Sequence, residues 1–584
     1  MIIQTQEQLK QFLQTFNKQC FAFDTETTSL SWFEQEIEGI SIYDGQHSAY
    51  ILGSTCRYLM DLFDKAQIII GHNLVFDFKA LMRLWDREYT NRILKSTKLV
   101  DTELAEYVIN SENPKGLKVL AHKYLNRSPL TWKEAQRFPH YSQEFADYAI
   151  ADAINTWDVW TVQKAIIAKD GLEQVFRIEC DFIPVQIEME TSGILVNQDL
   201  LKKQETQLDL LKCQLEGEMI DALGIQRTQQ GNLYGNADLI MPLDFGSPAA
   251  VVSYIQRKMG IQLTLKTEGG NYSIGKKTIE QLLNTHPFFR LFQKYRAVMK
   301  LLTGFIRPYW DLIKPDGRIY PSFRHVRSGR CVAYNPNLQQ QANWNELVPE
   351  INIRELFIAG KNNKFLRNDY DQQELRILAH ITGDKNLIAA FKANKDIHLD
   401  TANKVFKLNI PEECLIKTHS KYKEYRKKFE KQRSDIKPTN FGIPYGKYTE
   451  YNQKWFAAYP QVKTAMQQCK EFQLNNKYTI TWAGRRRYYT TFRSTDLRSG
   501  FNMLIQGTGA DMAIKAAGEL WKYLRTFVPT IRIILLVHDE VILEGPENDL
   551  KQQLTAVKAY LENTMRLSVP LVVESKIVSS YGEK

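Results

Sequence analysis

Residues 365–380 read FLRNDYDQQELRILAH, and this stretch decides the interpretation of the larger part of the chain. The apolar lead into Asp369 predicts a strand that ends on a carboxylate, and QELRILAH has the spacing of an amphipathic helix with Glu374 in its first turn. Farther on, the apolar runs RIILLV and VILEG flank HDE at 538–540, a pattern typical of a hairpin with acids at its tip. The two segments together predict an α+β region in which acidic residues end the strands.

Two separated strand-end aspartates, Asp369 and Asp539, could hold two Mg²⁺ ions for nucleotidyl transfer. Between them, two cations and two aromatic residues recur every four positions and share one face of a predicted helix. These are Arg433, Lys437, Phe441 and Tyr445. Such a stripe suits a nucleoside triphosphate, because cations bind phosphates and aromatic faces pack on sugar and base. An amphipathic surface helix is the alternative, although Pro438 and Pro444 inside the stripe argue against a purely structural helix.

The N-terminal part of the chain carries a second set of acids. FAFDTETTSL places Asp24 and Glu26 two apart on a strand, so both carboxylates project from one face. GHNLVFDF supplies Asp77, and YAIAD places Tyr148 and Asp152 on one face of a helix. Four converging carboxylates repel one another unless divalent cations neutralise them, which predicts Mg²⁺ or Mn²⁺. Two such ions about 4 Å apart support phosphodiester hydrolysis.

Length and composition restrict the class of protein. The chain has 584 residues, 43% of them hydrophobic and 24% charged, which is enough for about three or four folding units. Its 76 Lys and Arg against 66 Asp and Glu favour a polyanionic partner, but a net charge of +10 excludes a histone-like polycation. No apolar run approaches the ~20 residues of a membrane span. The seven cysteines form no CxxC pair, so we expect neither a zinc site nor a disulfide framework.

The motifs DTE, HNLVFD and YAIAD stand in the order seen in the proofreading 3′–5′ exonuclease domain of the DnaQ-like superfamily, which the N-terminal part resembles. The resemblance implies an α/β domain over residues 1–170, RNase H-like, with a mixed sheet and helices. It implies Asp24, Glu26, Asp77 and Asp152 as catalytic metal ligands. Tyr148 then becomes the residue that orients the attacking water.

The rest of the chain resembles the family A DNA polymerases, the bacterial polymerase I-like group. IECDFIPVQIEMETSGILVN, FGSPAAVVSYIQ, FLRNDYDQQELR, KPTNFGIPYG and LLVHDEVIL follow one another in the family order. The resemblance implies an α+β right-hand polymerase domain over residues 171–584. Its implied parts are the palm at about 171–198, 311–384 and 496–584, the thumb at about 199–310 and the fingers at about 385–495.

Residue roles follow from the same resemblance. Asp369 and Asp539 match the catalytic metal ligands, and Glu540 lies beside them. Nucleotide contacts are implied for Gln372, Glu374, His398, Arg433, Phe441, Tyr445 and Lys437, the last also as a catalytic residue. Glu374 matches the steric gate that fills the space of a ribose 2′-hydroxyl, so we predict DNA rather than RNA synthesis. DNA contacts are implied for Arg330, Arg498, Asn502, Gln506 and His538, with minor-groove reading by Arg330, Gln506 and His538.

Three further features of the sequence bear on this resemblance. Asp371 stands where the family usually has a small serine, so it either points away from the site or alters its metal affinity. We expect GRRR at 484–487 to contact the DNA backbone, with a solvated turn as the alternative. The exonuclease motif begins by residue 21, so we expect no preceding 5′-nuclease domain and a layout like that of phage, viral or organelle-type members.

The sequence therefore predicts a template-directed DNA polymerase that adds dNTPs to a primer 3′-hydroxyl and proofreads with a 3′–5′ exonuclease. Its predicted cofactors are two Mg²⁺ per active site, with Mn²⁺ as a substitute. Its predicted partners are primer–template DNA and dNTPs, with no membrane contact. We expect a monomer, open to accessory replication proteins, in a bacterial or phage-infected cytoplasm or an organelle matrix and not secreted. The alternatives are a 3′–5′ exonuclease whose polymerase half only binds DNA, a non-catalytic DNA-binding scaffold, and a single-subunit RNA polymerase, against which Glu374 argues.

Overall fold

The computed structural model describes residues 1–225, 228–231, 237–240, 243–341 and 346–583. The chain divides into two compact units. The first comprises Met1–Ser192, Pro321–Gln339 and Asn362–Ile577, and the second comprises Gly193–Tyr320, Gln340–Lys361 and Val578–Lys584. Both predicted catalytic centres lie in the first unit. The predicted boundary between residues 170 and 171 stays a prediction.

The N-terminal part is built on a six-stranded mixed sheet. Its strands are β1 (Ile2–Ile3), β2 (Cys20–Thr27), β3 (Ile37–Tyr43), β4 (Ser48–Leu52), β5 (Ile68–Gly71) and β6 (Lys98–Asp101), in the order β1-β4-β3-β2-β5-β6. β2 pairs antiparallel with β3 and parallel with β5. The run Phe21–Phe23 is fully buried, which explains why this strand occupies the interior of the sheet. The predicted α/β class with a mixed sheet is confirmed.

Residues 1–192, all of which the structure describes, contain nine α-helices beside the strands of this sheet. They are α1 (Gln6–Phe12), α2 (Met60–Asp64), α3 (Leu74–Leu84), α4 (Arg87–Ser96), α5 (Thr102–Ile109), α6 (Leu117–Leu125), α7 (Trp132–Ala135), α8 (Gln143–Asp170) and α9 (Glu173–Ser192). The longest, α8, begins where the Ser142 hydroxyl accepts a hydrogen bond from the Phe145 amide. It ends at Gly171, whose positive φ of 66° is the left-handed conformation that favours glycine at a helix end.

The middle of the chain supplies most of the second unit. Its helices are α10 (Gln198–Ala222), α11 (Pro248–Arg257), α12 (Lys276–Leu282), α13 (Pro287–Leu301) and α14 (Arg307–Leu312). Its strands are β7 (Ile194–Val196), β8 (Thr228–Gly231), β9 (Ala237–Ile240), β10 (Arg318–Ile319), β11 (Ser322–His325), β12 (Cys331–Tyr334) and β13 (Phe357–Ile358). Within this stretch, the hairpin β11–β12 belongs to the first unit. In the second unit, the long helices α10 and α13 pack together.

The C-terminal part returns to the first unit. Its strands are β14 (Asn363–Tyr370), β15 (Tyr478–Ile480), β16 (Arg486–Tyr488), β17 (Arg532–Val537), β18 (Glu540–Pro546) and β19 (Val573–Val578). Its helices are α15 (Gln373–Thr382), α16 (Lys385–Lys392), α17 (Ile397–Phe406), α18 (Tyr422–Lys428), α19 (Glu430–Gly442), α20 (Asn452–Ala458), α21 (Pro460–Asn476), α22 (Ser494–Phe527) and α23 (Glu547–Glu562). The predicted strand, helix and hairpin around Asp369 and HDE are confirmed as β14, α15 and β17–β18.

A four-stranded sheet, in the order β17-β18-β14-β19, positions the second acidic centre, and β18 pairs antiparallel with both β17 and β14. An apolar core beside it includes Leu375, Ile377, Trp455, Phe501 and Ile505, which come from α15, α20 and α22. Strands and helices are therefore segregated here, as the predicted α+β class requires. All seven cysteines are free thiols. Among the helices of the described residues, none is long and apolar enough to cross a lipid bilayer.

Candidate active sites

The first acidic centre is formed by β2 and α8. Asp24 and Glu26 are alternate residues of β2 and project from the same face of the sheet, and Asp152 faces them from α8. One carboxylate oxygen from each of the three residues lies within 4.8 Å of the others. The predicted convergence of these acids is thus present in the fold.

Asp77, the fourth predicted acid, is held slightly apart from the other three. It lies in the first turn of α3, and its Oδ1 accepts hydrogen bonds from the backbone amide of Thr25 at 3.0 Å and from the Thr25 hydroxyl at 2.7 Å. Thr25 is the residue between Asp24 and Glu26, so Asp77 is fixed directly to the strand that carries them. Its charge still acts on Asp24.

The environment of these acids favours their protonated forms. Burial raises the pKa of Asp24 well above its ordinary value, and the charges of Asp77 and Glu26 raise it further. Burial also raises the pKa of Glu26 to about 8 and that of Asp77 to about 7. Ionisation of these grouped carboxylates is unfavourable because they are buried and repel one another. A divalent cation would relieve this repulsion, and carboxylate oxygens are the ligands that hard cations prefer. The residues therefore fit the predicted metal centre.

Lys118 belongs to the first acidic centre although it lies outside the three acidic motifs. Its ammonium group, on α6, donates to Oδ1 of Asp152 and lies 4.4 Å from the centre of the Tyr148 ring. Burial raises the pKa of Tyr148 above its usual range, so its hydroxyl stays protonated at neutral pH. Lys118 is thus the cation that counters Asp152. No spacing rule could have found it, because α6 is separate in sequence from each of the three acidic motifs.

The second acidic centre lies at the tip of the β17–β18 hairpin. Asp369, near the end of β14, is directly opposite Glu540 in the ladder with β18, and Asp539 occupies the turn before β18. The backbone amide of Tyr370 donates to the carbonyl of Asp539 at 3.1 Å, which ties the two segments together. Burial and the charge of Asp539 raise the pKa of Asp369 to about 7. Glu540 accepts from Nε of Arg367 at 2.5 Å.

A cavity of about 370 Å³ opens on this centre. Eight of the predicted site residues line it, namely Arg330, Asp369, Gln372, Glu374, Phe441, Gln506, His538 and Asp539. Glu574, on β19, also lines the cavity, and its charge contributes to the raised pKa of Asp369. Glu574 was not predicted, because its strand lies near the C-terminus and only the sheet order brings it beside β14.

Glu374, the predicted steric gate, is held directly by two side chains, Tyr445 and Arg330. The Tyr445 hydroxyl lies 2.9 Å from both of its carboxylate oxygens, and Nη2 of Arg330 lies 3.1 Å from Oε1. The Tyr445 hydroxyl in turn accepts from Nε2 of Gln506 at 2.5 Å. These contacts link α15, α22, the β11–β12 hairpin and the segment after α19. They join two predicted nucleotide contacts, Glu374 and Tyr445, to two predicted minor-groove readers, Arg330 and Gln506.

The predicted triphosphate residues have unequal surroundings. Nε of Arg433 donates to Asp396 at 2.8 Å, whereas Lys437 is exposed. His398 is buried, and its Nδ1 lies 2.9 Å from the side-chain nitrogen of Asn440. Burial lowers the pKa of His398 to about 4, so the ring is neutral at pH 7 and offers a hydrogen bond rather than a charge.

One structural prediction about these residues is wrong in part. Arg433, Lys437 and Phe441 lie on α19 as expected, with Pro438 inside the helix. The α-helix ends at Gly442, however, and Tyr445 closes a following 3₁₀ turn, Ile443–Tyr445. Pro444 has no amide hydrogen to donate, and its ring crowds the carbonyl four residues earlier, which disfavours continuation of the α-helix. This change of geometry accompanies the contact of Tyr445 with Glu374.

Three predicted DNA contacts recur every four residues on α22, so they share one face of the helix. Arg498 is exposed, Asn502 is half-buried, and Gln506 lines the cavity. Gly446 is necessary for this arrangement, because a Cβ there would lie 2.5 Å from Cδ of Arg498 and its φ is +64°. The face leads directly from the surface to Tyr445. The contact of this helix face with DNA stays a prediction.

The prediction that Arg485 contacts the DNA backbone is wrong. Its guanidinium is buried, with Nε 2.8 Å from Oδ1 of Asp511 and Nη2 bound to Glu179. Arg486 is also engaged, through a hydrogen bond to the carbonyl of Asp170. Sequence could not separate the three arginines of GRRR, since only the packing of α9 and α22 around this turn decides which one is buried. Arg487 is left as the candidate for a backbone contact.

Comparison with known proteins bears on these two centres. A family model described as "DNA polymerase family A" matches residues 225–583, which is more than half of the chain. The chain belongs to DNA polymerase family A. A second model, described as "3'-5' exonuclease", matches residues 1–162, the region of the first acidic centre.

Curated relatives and a solved structure agree with this family. The chain is 28% identical to DNA polymerase I of Borreliella burgdorferi over 614 aligned residues, covering 100% of this chain and 64% of that protein. It is also 28% identical to DNA polymerase I of Caldicellulosiruptor bescii, covering 95% of this chain and 65% of that protein. The chain thus spans slightly less than two thirds of the length of these relatives.

The solved structure establishes likeness of fold. It is the POL domain of Pol1 from M. smegmatis in complex with DNA primer-template and dNTP. The TM-score is 0.81 at 21% sequence identity, and the match covers 99% of this chain and 98% of the other. The expected exonuclease and right-hand polymerase architecture is confirmed by the family models and this neighbour together.

Proposed function

We propose that this protein is a template-directed DNA polymerase that proofreads its product with a 3′–5′ exonuclease. The observation that carries the proposal is the pair of acidic centres in a family A chain, one on β2 and α8 and the other at the tip of β17–β18. In the polymerase reaction the primer 3′-hydroxyl attacks the α-phosphorus of a dNTP and pyrophosphate leaves. In the exonuclease reaction water attacks the terminal phosphodiester of the primer and releases a nucleotide.

We further propose that Mg²⁺ occupies both centres, two ions in each, with Mn²⁺ as a substitute. Asp369 and Asp539 would hold the ions of the polymerase site. Asp24, Glu26 and Asp152, with Asp77 behind them, would hold those of the exonuclease site. When bound, such ions supply Lewis-acid stabilisation of the phosphoryl oxygens and of the attacking and leaving oxygens. The raised pKa values of Asp24, Glu26, Asp77, Asp369 and Asp539 support this assignment.

The other predicted nucleotide contacts, inside and outside the cavity, would select and orient the nucleotide. Glu374, kept in place by Tyr445, would occupy the volume that a ribose 2′-hydroxyl needs, and Phe441 would pack on the sugar and base. Arg433 and Lys437 would bind the triphosphate through their charges, and His398 through a hydrogen bond. Gln372, on the cavity wall, would contact the incoming nucleotide.

The remaining predicted contacts concern DNA. Arg330, Gln506 and His538 line the same cavity, where they would test the minor-groove acceptors of the terminal base pair. Arg498 and Asn502 continue the α22 face from Gln506 and would support the duplex. In the exonuclease site Tyr148 would orient the attacking water through its protonated hydroxyl, next to Asp152. We infer a monomer that can take accessory replication proteins, in a bacterial cytoplasm or an organelle matrix.

A primer-extension assay with and without dNTPs, on matched and mismatched primer termini with Mg²⁺, tests this proposal. We expect extension with dNTPs and shortening without them, faster on mismatched ends. Asp24→Ala with Glu26→Ala should abolish shortening and keep extension, while Asp539→Ala should do the reverse. Shortening without any extension would mean that the polymerase half only binds DNA. Loss of both activities in either variant would contradict two separate sites.

A further inference from the structure

Asp371, two residues beyond Asp369, has an unusual set of contacts for an acid beside a metal site. Its Oδ2 accepts from Nη2 of Arg376 at 2.9 Å and from Nζ of Lys417, also at 2.9 Å. Its backbone amide donates to the carbonyl of Val572 at 2.9 Å. The carboxylate therefore bridges a cation of α15 and a cation from the segment before α18, and Asp371 is among the residues that line the cavity.

Arg376 fixes the palm side of this bridge. Its Nε donates to the backbone carbonyl of Asp371 at 2.6 Å and its Nη1 to the carbonyl of Pro570 at 2.7 Å. The Arg376 side chain is 4% exposed and that of Asp371 is 14% exposed. One arginine is enough to neutralise one carboxylate, so the additional contact with Lys417 is a structural link rather than a requirement of charge balance.

Lys417 belongs to a short segment that pairs with the chain just before α17. Its amide donates to the carbonyl of Asn394 at 3.0 Å, and the amide of Asp396 donates to the carbonyl of Leu415 at 2.9 Å. A β-bridge joins Lys395 to Ile416 between these two bonds. The position of Lys417 and the position of Asp396 are therefore set by the same pair of extended segments.

Asp396 in turn holds both sides of the proposed triphosphate site. As the N-cap of α17 it accepts from the backbone amide of His398 at 3.0 Å. Its other oxygen, Oδ2, accepts from Nε of Arg433 at 2.8 Å and from the Tyr422 hydroxyl at 2.9 Å. A continuous set of contacts thus runs from Asp371 through Lys417 and Asp396 to Arg433 and His398.

We propose that Asp371 is a positioning residue for the triphosphate, acting through Lys417 on Arg433 and His398. This inference rests on the proposed polymerase function. The Asp371–Lys417 bond ties the fingers segment that carries the triphosphate contacts to the strand end that carries Asp369. A nucleotide whose phosphates are bound on the fingers then lies at a set distance from the acids of the palm. The arrangement gives a function to the aspartate that replaces the small serine expected at this position.

The test is steady-state nucleotide incorporation by the full chain with Asp371→Ser, Lys417→Gln and both changes together. We expect each single change to raise KM for dNTP about fivefold to tenfold while kcat changes less than about twofold. The double variant should be no worse than the worse single, because either change alone already removes the Asp371–Lys417 bond. Lys417→Arg, which keeps the charge and the reach, should restore most of the lost affinity.

Lys423→Gln is the matched control, since Lys423 is an exposed lysine on α18, the helix that follows Lys417 in the chain. It should leave KM unchanged. Primer shortening without dNTPs should be unchanged in all variants, which reports an intact fold independently of extension. If Lys417→Gln raises KM and Asp371→Ser does not, Lys417 binds the substrate by itself and the proposal is overturned. Additive effects of the two changes, or none at all, also overturn it. A wild-type chain without extension would instead refute the proposed function.

Discussion

The hydroxyl of Tyr445 lies 2.9 Å from each of the two carboxylate oxygens of Glu374. Burial and the neighbouring Glu374 raise the pKa of Tyr445 to about 12, so the hydroxyl keeps its proton and donates it to the carboxylate at neutral pH. Gln506 donates to the same hydroxyl from α22. The side chain proposed to exclude ribonucleotides is thus held by Tyr445, which Gln506 of α22 contacts in turn.

Loss of the Glu374 carboxylate or of the Tyr445 hydroxyl should lower the selectivity for deoxyribonucleotides over ribonucleotides. Glu374→Ala should increase ribonucleotide incorporation most, because it removes the group that fills the 2′-hydroxyl volume. Tyr445→Phe should increase it by about tenfold, as expected from the loss of a hydrogen bond to a charged group. Competitive incorporation of rNTP against dNTP measures both. Tyr448→Phe, at a tyrosine that is 60% exposed, is the control and should have no effect. Unchanged discrimination in Glu374→Ala would contradict the gate assignment.

The stability of the exonuclease centre should depend on pH in a direction set by its raised pKa values. A carboxyl whose pKa is higher in the folded than in the unfolded chain stabilises the fold below the unfolded pKa, and this contribution is lost as pH rises through the folded pKa. For Asp77 and Glu26 the folded values are about 7 and about 8. In EDTA, therefore, the melting temperature should fall between pH 6 and pH 8.5.

Mg²⁺ should oppose this loss, and more strongly at pH 8.5 than at pH 6, because cations bind the deprotonated carboxylates. Thermal melting with EDTA or Mg²⁺ across this range measures both effects. Asp24→Asn with Glu26→Gln supplies the control, since neutral amides of similar size remove most of the repulsion. A double variant with the same pH dependence as the wild type would place the effect elsewhere in the protein.

Lys118 should be required for exonuclease activity although no motif contains it. Lys118→Met removes the cation that counters Asp152 and lies over Tyr148, so the carboxylate loses its partner. We expect primer shortening to slow by about tenfold or more, the factor associated with a lost charged hydrogen bond, while primer extension stays unchanged. Lys65→Met, at an exposed lysine of the same domain, is the control. Full exonuclease activity in Lys118→Met would show that the contact is dispensable.

Arg485 should matter for stability rather than for DNA binding. Arg485→Met would leave Glu179 and Asp511 buried without their shared cation, a change that costs about 3–5 kcal/mol of unfolding free energy in buried ion pairs. Urea unfolding followed by tryptophan fluorescence measures the loss. Arg487→Met, at a half-buried arginine of the same turn, should unfold close to the wild type but bind primer–template less tightly. Reversed effects of the two variants would restore the original assignment of Arg485.

The sequence predicted most of the acidic residues of both centres because each acid belongs to a short local pattern. Asp24 and Glu26 alternate on one strand, and Tyr148 and Asp152 are four apart on one helix, so local geometry alone puts each pair on a common face. Asp369 and Asp539 could be predicted as strand-end acids for the same reason. The position of Tyr445 differs from the prediction for an equally local reason, since the α-helix ends at Gly442 and Pro444 lies in the following 3₁₀ turn.

The residues that were missed or misassigned depend on segments far apart in the chain. Lys118 reaches Asp152 from another helix, and Glu574 reaches the cavity only because β19 lies next to β14. Arg485 is buried between α9 and α22, although its neighbours in the same turn are more exposed.

The sequence by itself determined the class of this protein and the identity of its acids, because strand alternation, helix period and motif order are properties of neighbouring residues. Only the tertiary structure decided which cations form ion pairs with those acids and which arginine is buried. It also decided that Asp371 binds Lys417, which is 46 residues away in the chain. The physical reason is that an ion pair forms wherever packing brings opposite charges within about 4 Å, and no local pattern encodes that distance.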